Sequence, residues 1–315
     1  MAFDMINYSV IIPHKNSPKL LAKSLASIPM RDDVQVIVVD DNSDVNLVDF
    51  SSFPKWNGVH YECYFTKEGK GAGYARNIGL SHAIGKWVLF MDADDYFMPS
   101  IDDIFDEYLD NDADVIYFRP QAVMQEDYMT ISKRANLYNF LIDSYMQTAD
   151  ENEIRTRFYV PWSKFVKRSL IERYSIKFEE IPYSNDVVFS IKVGCYANSI
   201  SVQDKSFYVV TESTKSLTSK FLSKPGELNI RANACINAQD VIYSVGRPLD
   251  QSSLINYLIE LYKHSKLDFF SSFNRTLSLG YTRILLTRKI FASHRMLSKI
   301  KNGLYVLCFS IFVKK

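Results

Sequence analysis

GKGAGYARNIGLSHAIGKWVLFMDADDY, residues 69–96, divides into a loop, a helix, a strand and an acidic turn, and that division decides the fold. Gly69, Gly71 and Gly73 stand at alternate positions, which suits a loop whose backbone closely approaches a ligand. Ala75, Ile78, Gly79, Ala83 and Ile84 then recur at three- and four-residue spacing, one face of a helix, and Gly85 stops it. Trp87 to Met91 is a continuous apolar run, as a buried central strand requires. The run ends in Asp92, Asp94 and Asp95. Carboxylates this close raise one another's pKa unless a cation neutralises them, and Mn²⁺ or Mg²⁺ bound by one or two carboxylates, water and phosphate oxygens would do so. The triplet would equally fit a solvated turn leading to the helix after Pro99. Its place at the carboxyl end of a strand, where open α/β sheets bind ligands, favours the site.

Working outward, Tyr8 to Ile12 is a short β-rich run closed by Pro13, residues 17–28 carry Leu20, Leu21, Leu25 and Ile28 on one helical face, and Val34 to Val39 is a second buried-strand run. It too ends in acid, Asp40 and Asp41. Val59 to Phe65 alternates as an outer strand would, and Val115 to Phe118 is a further strand. Strand, helix, strand at this spacing predicts a twisted, mostly parallel sheet flanked by helices, an α/β fold. Past Phe221 the pattern is helical, with amphipathic segments at 228–245 and 253–267, so the expected organisation is an α/β domain over 1–220 and a helical, basic region over 221–315.

Composition agrees with a folded chain: 315 residues, 47% hydrophobic and 14% aromatic. Cys63, Cys195, Cys235 and Cys308 form no CxxC or Cys/His cluster, which argues against zinc and for a reducing compartment. The opening MAFDMINYSVIIP has no basic n-region or long apolar stretch, so no signal peptide is expected. The net charge of +1 conceals an asymmetry. Of 37 Lys and Arg, nine follow Asp268, while all 36 Asp and Glu lie at or before it, so the body carries −8 and the tail +9. A basic tail on an acidic body wants an anionic partner. The tail's apolar run LYVLCFSIFV is too short to span a bilayer; lying on an anionic membrane fits it better, with docking on the protein or a partner subunit as the other possibility. Nothing resembles a nucleic-acid module.

YSVIIPHKN (8–16), VIVVDDNSD (36–44) and the GxGxARNxGLxxAxGKWVLFMDADD stretch together resemble a GT-A-fold glycosyltransferase of family 2 over roughly the first hundred residues. The resemblance implies an inverting, metal-dependent enzyme with a nucleotide-sugar donor, UDP-linked, acting in surface-polysaccharide assembly on a glycan or lipid-linked glycan acceptor at the inner face of the cell membrane. It places Asp94 on the metal, Asp92 on the ribose or a metal-bound water, Asp41 on the uracil, Arg76 and Asn16 on the nucleotide, and Pro13 at the wall of the base pocket. PWSKFVKRSLI (161–171) resembles the family's Trp- and Lys-bearing segment before the acceptor side. In FEEIPYSNDVVFSIKV (178–193) the family's Glu-Asp pair reads Asn185-Asp186, and Asp186 is the implied general base. Asp186 would otherwise serve as an N-cap, and Glu179 and Glu180 are the other candidate bases. YVVTESTKSLTS (208–219) resembles a strand and Ser-rich loop over the diphosphate, which makes Lys215, Ser216 and Thr218 phosphate candidates, or else a solvated linker. GKGAGYA follows a loop and departs from the dinucleotide fingerprint, so a nicotinamide enzyme is disfavoured. A sugar nucleotidyltransferase or an inactive sugar-nucleotide binder remain as alternatives.

Overall fold

The computed structural model describes residues 5–214, 225–248 and 251–278. The chain divides into two compact units, Met1–Phe221 and Leu222–Lys315.

In the first unit the elements run β1 (Tyr8–His14), α1 (Pro18–Ala26), β2 (Val34–Asp40), β3 (His60–Phe65), α2 (Ala72–His82), β4 (Trp87–Phe90), β5 (Tyr96–Phe97), α3 (Ile101–Tyr108), β6 (Val115–Phe118), β7 (Gln121–Met124), α4 (Asn136–Thr148), α5 (Glu151–Arg157), β8 (Lys164–Lys167), α6 (Arg168–Arg173), α7 (Val187–Tyr196), β9 (Ile200–Gln203) and β10 (Tyr208–Glu212). Seven strands form one sheet in the order β3-β2-β1-β4-β8-β6-β9. β1, β2, β3 and β4 are parallel neighbours, β6 and β9 pair in parallel, and β8 runs antiparallel to both β4 and β6. A second, three-stranded sheet has the order β5-β10-β7.

Every residue of β1, β2, β4 and β6 is buried, as their largely apolar runs require of strands covered on both faces. β3 is half-buried and ends the sheet, as expected of an outer strand, although its burial does not alternate along its length. β1 does not stop before Pro13 but continues through it to His14. Backbone groups alternate sides along a parallel strand. Those of His14 face β2, where Asp41 N–H reaches the His14 carbonyl, and those of Ile11 face β4, where Met91 N–H reaches the Ile11 carbonyl. Pro13 therefore faces β4 beyond that strand's last paired residue, Phe90, and its missing N–H removes no ladder bond.

Gly71 and Gly73 are required for different reasons. Gly71, the residue before α2, sits at φ +97°, a conformation that L side chains rarely adopt. Gly73 is required by packing rather than by a ligand, since a Cβ there would stand 2.2 Å from the Glu179 carbonyl oxygen.

The second unit contains α8 (Pro225–Ser244), α9 (Gln251–His264) and α10 (Lys266–Ser278), with Leu228, Ala232, Ile236, Leu254, Leu258, Phe269 and Phe273 in its core. The single helix expected over 253–267 is instead broken at Ser265. Ser265 Oγ donates to Asp268 Oδ2 at 2.6 Å and accepts its backbone N–H at 3.4 Å, a side-chain N-cap that starts α10.

Candidate active site

The site gathers at the carboxyl ends of β1, β2 and β4, where the strand order reverses between β1 and β4. At the end of β1, His14 Nδ1 lies 2.7 Å from Asp40 Oδ2, and His14 Nε2 accepts the Ser17 N–H at 3.1 Å, so the proton resides on Nδ1. Burial disfavours the ionised form of Asp40, yet hydrogen bonds from His14 and Ser43 hold its carboxyl below the usual range. Asn16, at φ +56°, ties the two strand ends together: its N–H donates to Ser43 Oγ and its Oδ1 accepts the Asp44 N–H, both at 2.7 Å. This lattice, buried at His14, Asp40 and Ser43 and exposed at Asn16 and Asp44, fixes the loop that carries Asp41.

Asp41 is 2% exposed. Its Oδ2 accepts the Gly71 N–H at 2.9 Å and pairs with Lys15 at 3.2 Å. Its Oδ1 is buried without a partner. A buried carboxylate oxygen left unpaired is costly, and it marks a place where a ligand donor belongs.

The three aspartates after β4 separate into two roles. Asp95 is buried, accepting from Tyr208 Oη at 2.7 Å and from Thr211 N–H at 2.7 Å, while Ser24 Oγ donates to its carbonyl at 2.6 Å. It pins the turn to β10 and α1 rather than facing the cleft. Burial, then the charges of Asp94 and Asp92, push its pKa well up. Asp94 is half-buried, and burial followed by the charge of Asp92 pushes its pKa up to about 6. Asp92 is held by Arg76, whose Nη2 donates to Asp92 Oδ1 at 2.5 Å, and by the Tyr208 hydroxyl, which accepts its N–H at 3.0 Å.

Arg76 itself is 5% exposed; α2 projects it against the Phe178 ring, and its Nη1 donates to Asn185 Oδ1 at 2.9 Å. Arg76 thus joins the end of β4 to the start of α7 through Asp92 and Asn185. Asn185, where the family pattern has a glutamate, serves as a neutral acceptor in this bridge. Next to it, Asp186 stands at the N-terminus of α7 but makes no capping hydrogen bond, so its carboxylate is not used by the helix. Burial raises its pKa and the Arg76 charge opposes that, with Asp92 raising and Arg134 lowering it further. Glu180 is exposed and accepts from Asn77 at 3.3 Å; Glu179 is half-buried and offers its backbone to Gly73. Lys215, Ser216 and Thr218, and the tail from 288 onward, lie outside the described residues.

Two residues here carry no sequence signal. Tyr208 is the shared partner of Asp92 and Asp95, and stacks on Trp162 at 5.6 Å. Arg134, in the irregular segment before α4, acts electrostatically on both Asp94 and Asp186. Arg134 lies in no motif, and Tyr208 opens the YVVTESTKSLTS stretch without any sign there of this role.

Among the described residues no three His, Cys, Asp or Glu side chains converge as a metal cage. The donor set still fits a divalent ion of the hard, oxygen-loving kind. Burial and the charge of Asp92 raise the pKa of the Asp94 carboxyl, which a cation would relieve, and such ions complete their shells with water and phosphate oxygens.

A mixed sheet of this order, with carboxylates at the ends of its central strands and a lone carboxylate opening a later helix, is the GT-A glycosyltransferase architecture. The chain belongs to glycosyl transferase family 2, whose profile matches residues 9–175. Over 219 residues it is 28% identical to the poly(ribitol-phosphate) beta-N-acetylglucosaminyltransferase TarS of Staphylococcus aureus, covering 66% of this chain and 36% of TarS. It is 24% identical over 225 residues to the uncharacterised glycosyltransferase EpsJ of Bacillus subtilis, covering 67% of this chain and 62% of that one. The chain thus spans less than two thirds of these relatives. The crystal structure of S. aureus TarS residues 1–349 with UDP-GlcNAc superposes with a TM-score of 0.64 at 20% identity, over 95% of this chain and 93% of that one.

Proposed function

We propose that the chain is an inverting, metal-dependent glycosyltransferase that moves a sugar from a UDP-linked donor to an acceptor hydroxyl of a surface glycan or lipid-linked glycan. The observation that carries this reading is the division of labour among its carboxylates. Asp41 offers one buried, unpartnered oxygen, Asp94 and Asp92 lie at the end of β4, and Asp186 opens α7 without capping it.

In this reading the uracil imide N–H satisfies Asp41 Oδ1, and Pro13 and Asn16 frame the pocket. Asp94 would hold Mn²⁺ or Mg²⁺, which when bound supplies positive charge against the departing diphosphate. Arg76 keeps Asp92 oriented towards the ribose side. The acceptor oxygen forms its bond to the anomeric carbon as the bond to the diphosphate oxygen breaks. Asp186 takes the hydroxyl proton. Burial makes that carboxylate a stronger base than a surface aspartate, and Arg76 favours its ionised form. One base facing the leaving group gives attack from the far side, hence inversion.

The TarS relative is named as a poly(ribitol-phosphate) beta-N-acetylglucosaminyltransferase and has been seen with UDP-GlcNAc, which supports a UDP-linked amino sugar as the first donor to try. A peripheral position at the inner membrane face would suit the +9 tail. No helix among the described residues is long and apolar enough to cross a membrane. The test is donor hydrolysis with UDP-, GDP- and CMP-linked sugars, with and without Mn²⁺. Metal-stimulated release of UDP is the expected result, and turnover indifferent to nucleotide and metal would overturn the reading.

A further inference from the structure

Asn77 follows Arg76 on α2 and meets the same neighbour, the segment 178–185 that leads into α7. Its Nδ2 donates to the Phe178 carbonyl at 3.0 Å, and its Oδ1 accepts the Phe178 N–H at 2.9 Å. A side-chain amide carries a donor and an acceptor side by side, so one asparagine pairs with both backbone groups of a residue as a neighbouring strand would. The same Nδ2 also reaches Glu180 Oε1 at 3.3 Å. A leucine of similar size would leave both Phe178 groups unmatched, and a carboxylate could accept but not donate. Asparagine is a poor residue for a helix interior, so α2 itself does not account for it.

Residues 73, 76 and 77 lie on one face of α2, three and four positions apart, and all three meet this segment. A Cβ at Gly73 would stand 2.2 Å from the Glu179 carbonyl oxygen and 3.0 Å from Asn185 Cβ, so the glycine lets the segment lie directly on the helix. Arg76 bonds Asn185 Oδ1 at 2.9 Å, and its guanidinium lies 5.3 Å from the Phe178 ring. Arg76 therefore grips the end of the segment and Asn77 its start, while the Glu179 N–H closes it on the Asn185 carbonyl at 3.2 Å. Asp186 is the next residue. Its side chain makes no capping bond, so the backbone that carries it sets where it stands. The same helix touches the donor side of the site, through the Gly71 N–H on Asp41 and Arg76 on Asp92.

We propose that Asn77 is a positioning residue for the transfer reaction: by holding both backbone groups of Phe178 it fixes the segment 178–185 on α2, and with it the place of Asp186 relative to the donor. This rests on Asp186 being the base. A base must stand within hydrogen-bond reach of the proton it takes, and a small misplacement costs rate while leaving the donor's own contacts in place.

Two variants test it. Asn77→Asp keeps the size and the acceptor for the Phe178 N–H but loses the donor, and Asn77→Ala removes both bonds. Both should keep the parent's affinity for UDP with Mn²⁺ by calorimetry, and its KM for the UDP-sugar that the parent hydrolyses fastest. Their kcat, taken well below melting, should fall by about 10-fold or more. Asn77→Ala introduced into Asp186→Asn should lower kcat no further, because a residue that acts through the base then has nothing left to act on. A residue that only supports the fold would lower the melting temperature and leave the kcat of the folded enzyme unchanged. If one variant does not fold, the other decides; failure of both to fold makes Asn77 a structural residue and overturns the inference. Parental kcat, a raised donor KM as the main effect, or a loss that adds in full to that of Asp186→Asn also overturns it. Full activity in Asp186→Asn would instead overturn the reading of the base, and a parent that releases no UDP from any UDP-sugar would overturn the functional reading, so the failures are distinguishable.

Discussion

The Tyr208 hydroxyl donates to Asp95 Oδ2 at 2.7 Å and accepts the Asp92 N–H at 3.0 Å, so one phenol on β10 holds both ends of the acidic turn after β4. The turn is therefore built from two sheets at once. Its cleft-facing carboxylates owe their position to a residue more than a hundred positions away in sequence.

Tyr208→Phe keeps the ring stacked on Trp162 and removes only the oxygen. It leaves a buried carboxylate oxygen and a backbone N–H short of a partner, a loss of about 1–3 kcal/mol. Urea denaturation should show a lower midpoint at unchanged slope, and calorimetry should show weaker binding of UDP with Mn²⁺. An unchanged midpoint and unchanged affinity would mean that the phenol positions nothing.

In the proposed reading Asp94 holds the metal and sets its pH dependence. Its folded pKa, about 6, lies above the ordinary aspartate value of 3.8, because burial and Asp92 disfavour its charge. A raised carboxyl pKa means stability that is present below the unfolded value and is lost as pH rises through the folded one. Asp94→Asn should therefore melt higher than the parent at pH 7.5 without metal, and the difference should shrink as pH falls through 6. In the parent, Mn²⁺ binding in the presence of UDP should weaken over the same fall in pH, since a ligand must be deprotonated. In Asp94→Asn it should be absent. Calorimetry reads both, and equal Mn²⁺ affinity in the two proteins would move the metal elsewhere.

The basic tail makes a separate claim. Deleting residues 288–315 removes seven of the nine basic residues that follow Asp268. Near an anionic surface each contributes on the order of 1 kcal/mol, and salt screens it. The truncated protein should bind phosphatidylserine vesicles far less well at low salt, while turnover on a soluble acceptor stays the same. Equal vesicle binding by both proteins would leave a docked or oligomer-forming tail.

Much of the fold was legible because its signals are local. The apolar runs of β1, β2, β4 and β6 need no knowledge of their neighbours to be identified as buried strands. The antiparallel insertion of β8 and the short sheet β5-β10-β7 were not legible, because strands of two to five residues show their pairing only in three dimensions. The same limit applied to the site. A run of three aspartates reads as one cluster, yet Asp95 faces inward to Tyr208 and Thr211 while Asp94 does not, a difference set by β10. Asn185 read as a departure from the family's Glu-Asp pair. Its use became evident only with Arg76 bonded to it, since Arg76 already has one carboxylate in Asp92 and a second beside it would compete.

Asp186 remains the decisive residue, and its prediction follows from both its chemistry and its helix. The acceptor proton leaves only as the transition state forms, so removing the base should strike turnover and spare donor binding. Asp186→Asn should lower kcat by about 10²–10⁴-fold, with UDP affinity little changed. The usual objection is that an aspartate opening a helix is also its cap, and that losing it unfolds the start of α7. That objection is weak here, because the side chain makes no capping bond and asparagine has the same size. Glu180→Gln should be close to the parent, since Glu180 is exposed and merely receives Asn77 at 3.3 Å. The product should carry the anomeric configuration opposite to the donor's, read directly by NMR. A retained anomer, or an active Asp186→Asn beside an inactive Glu180→Gln, would transfer the base to another carboxylate.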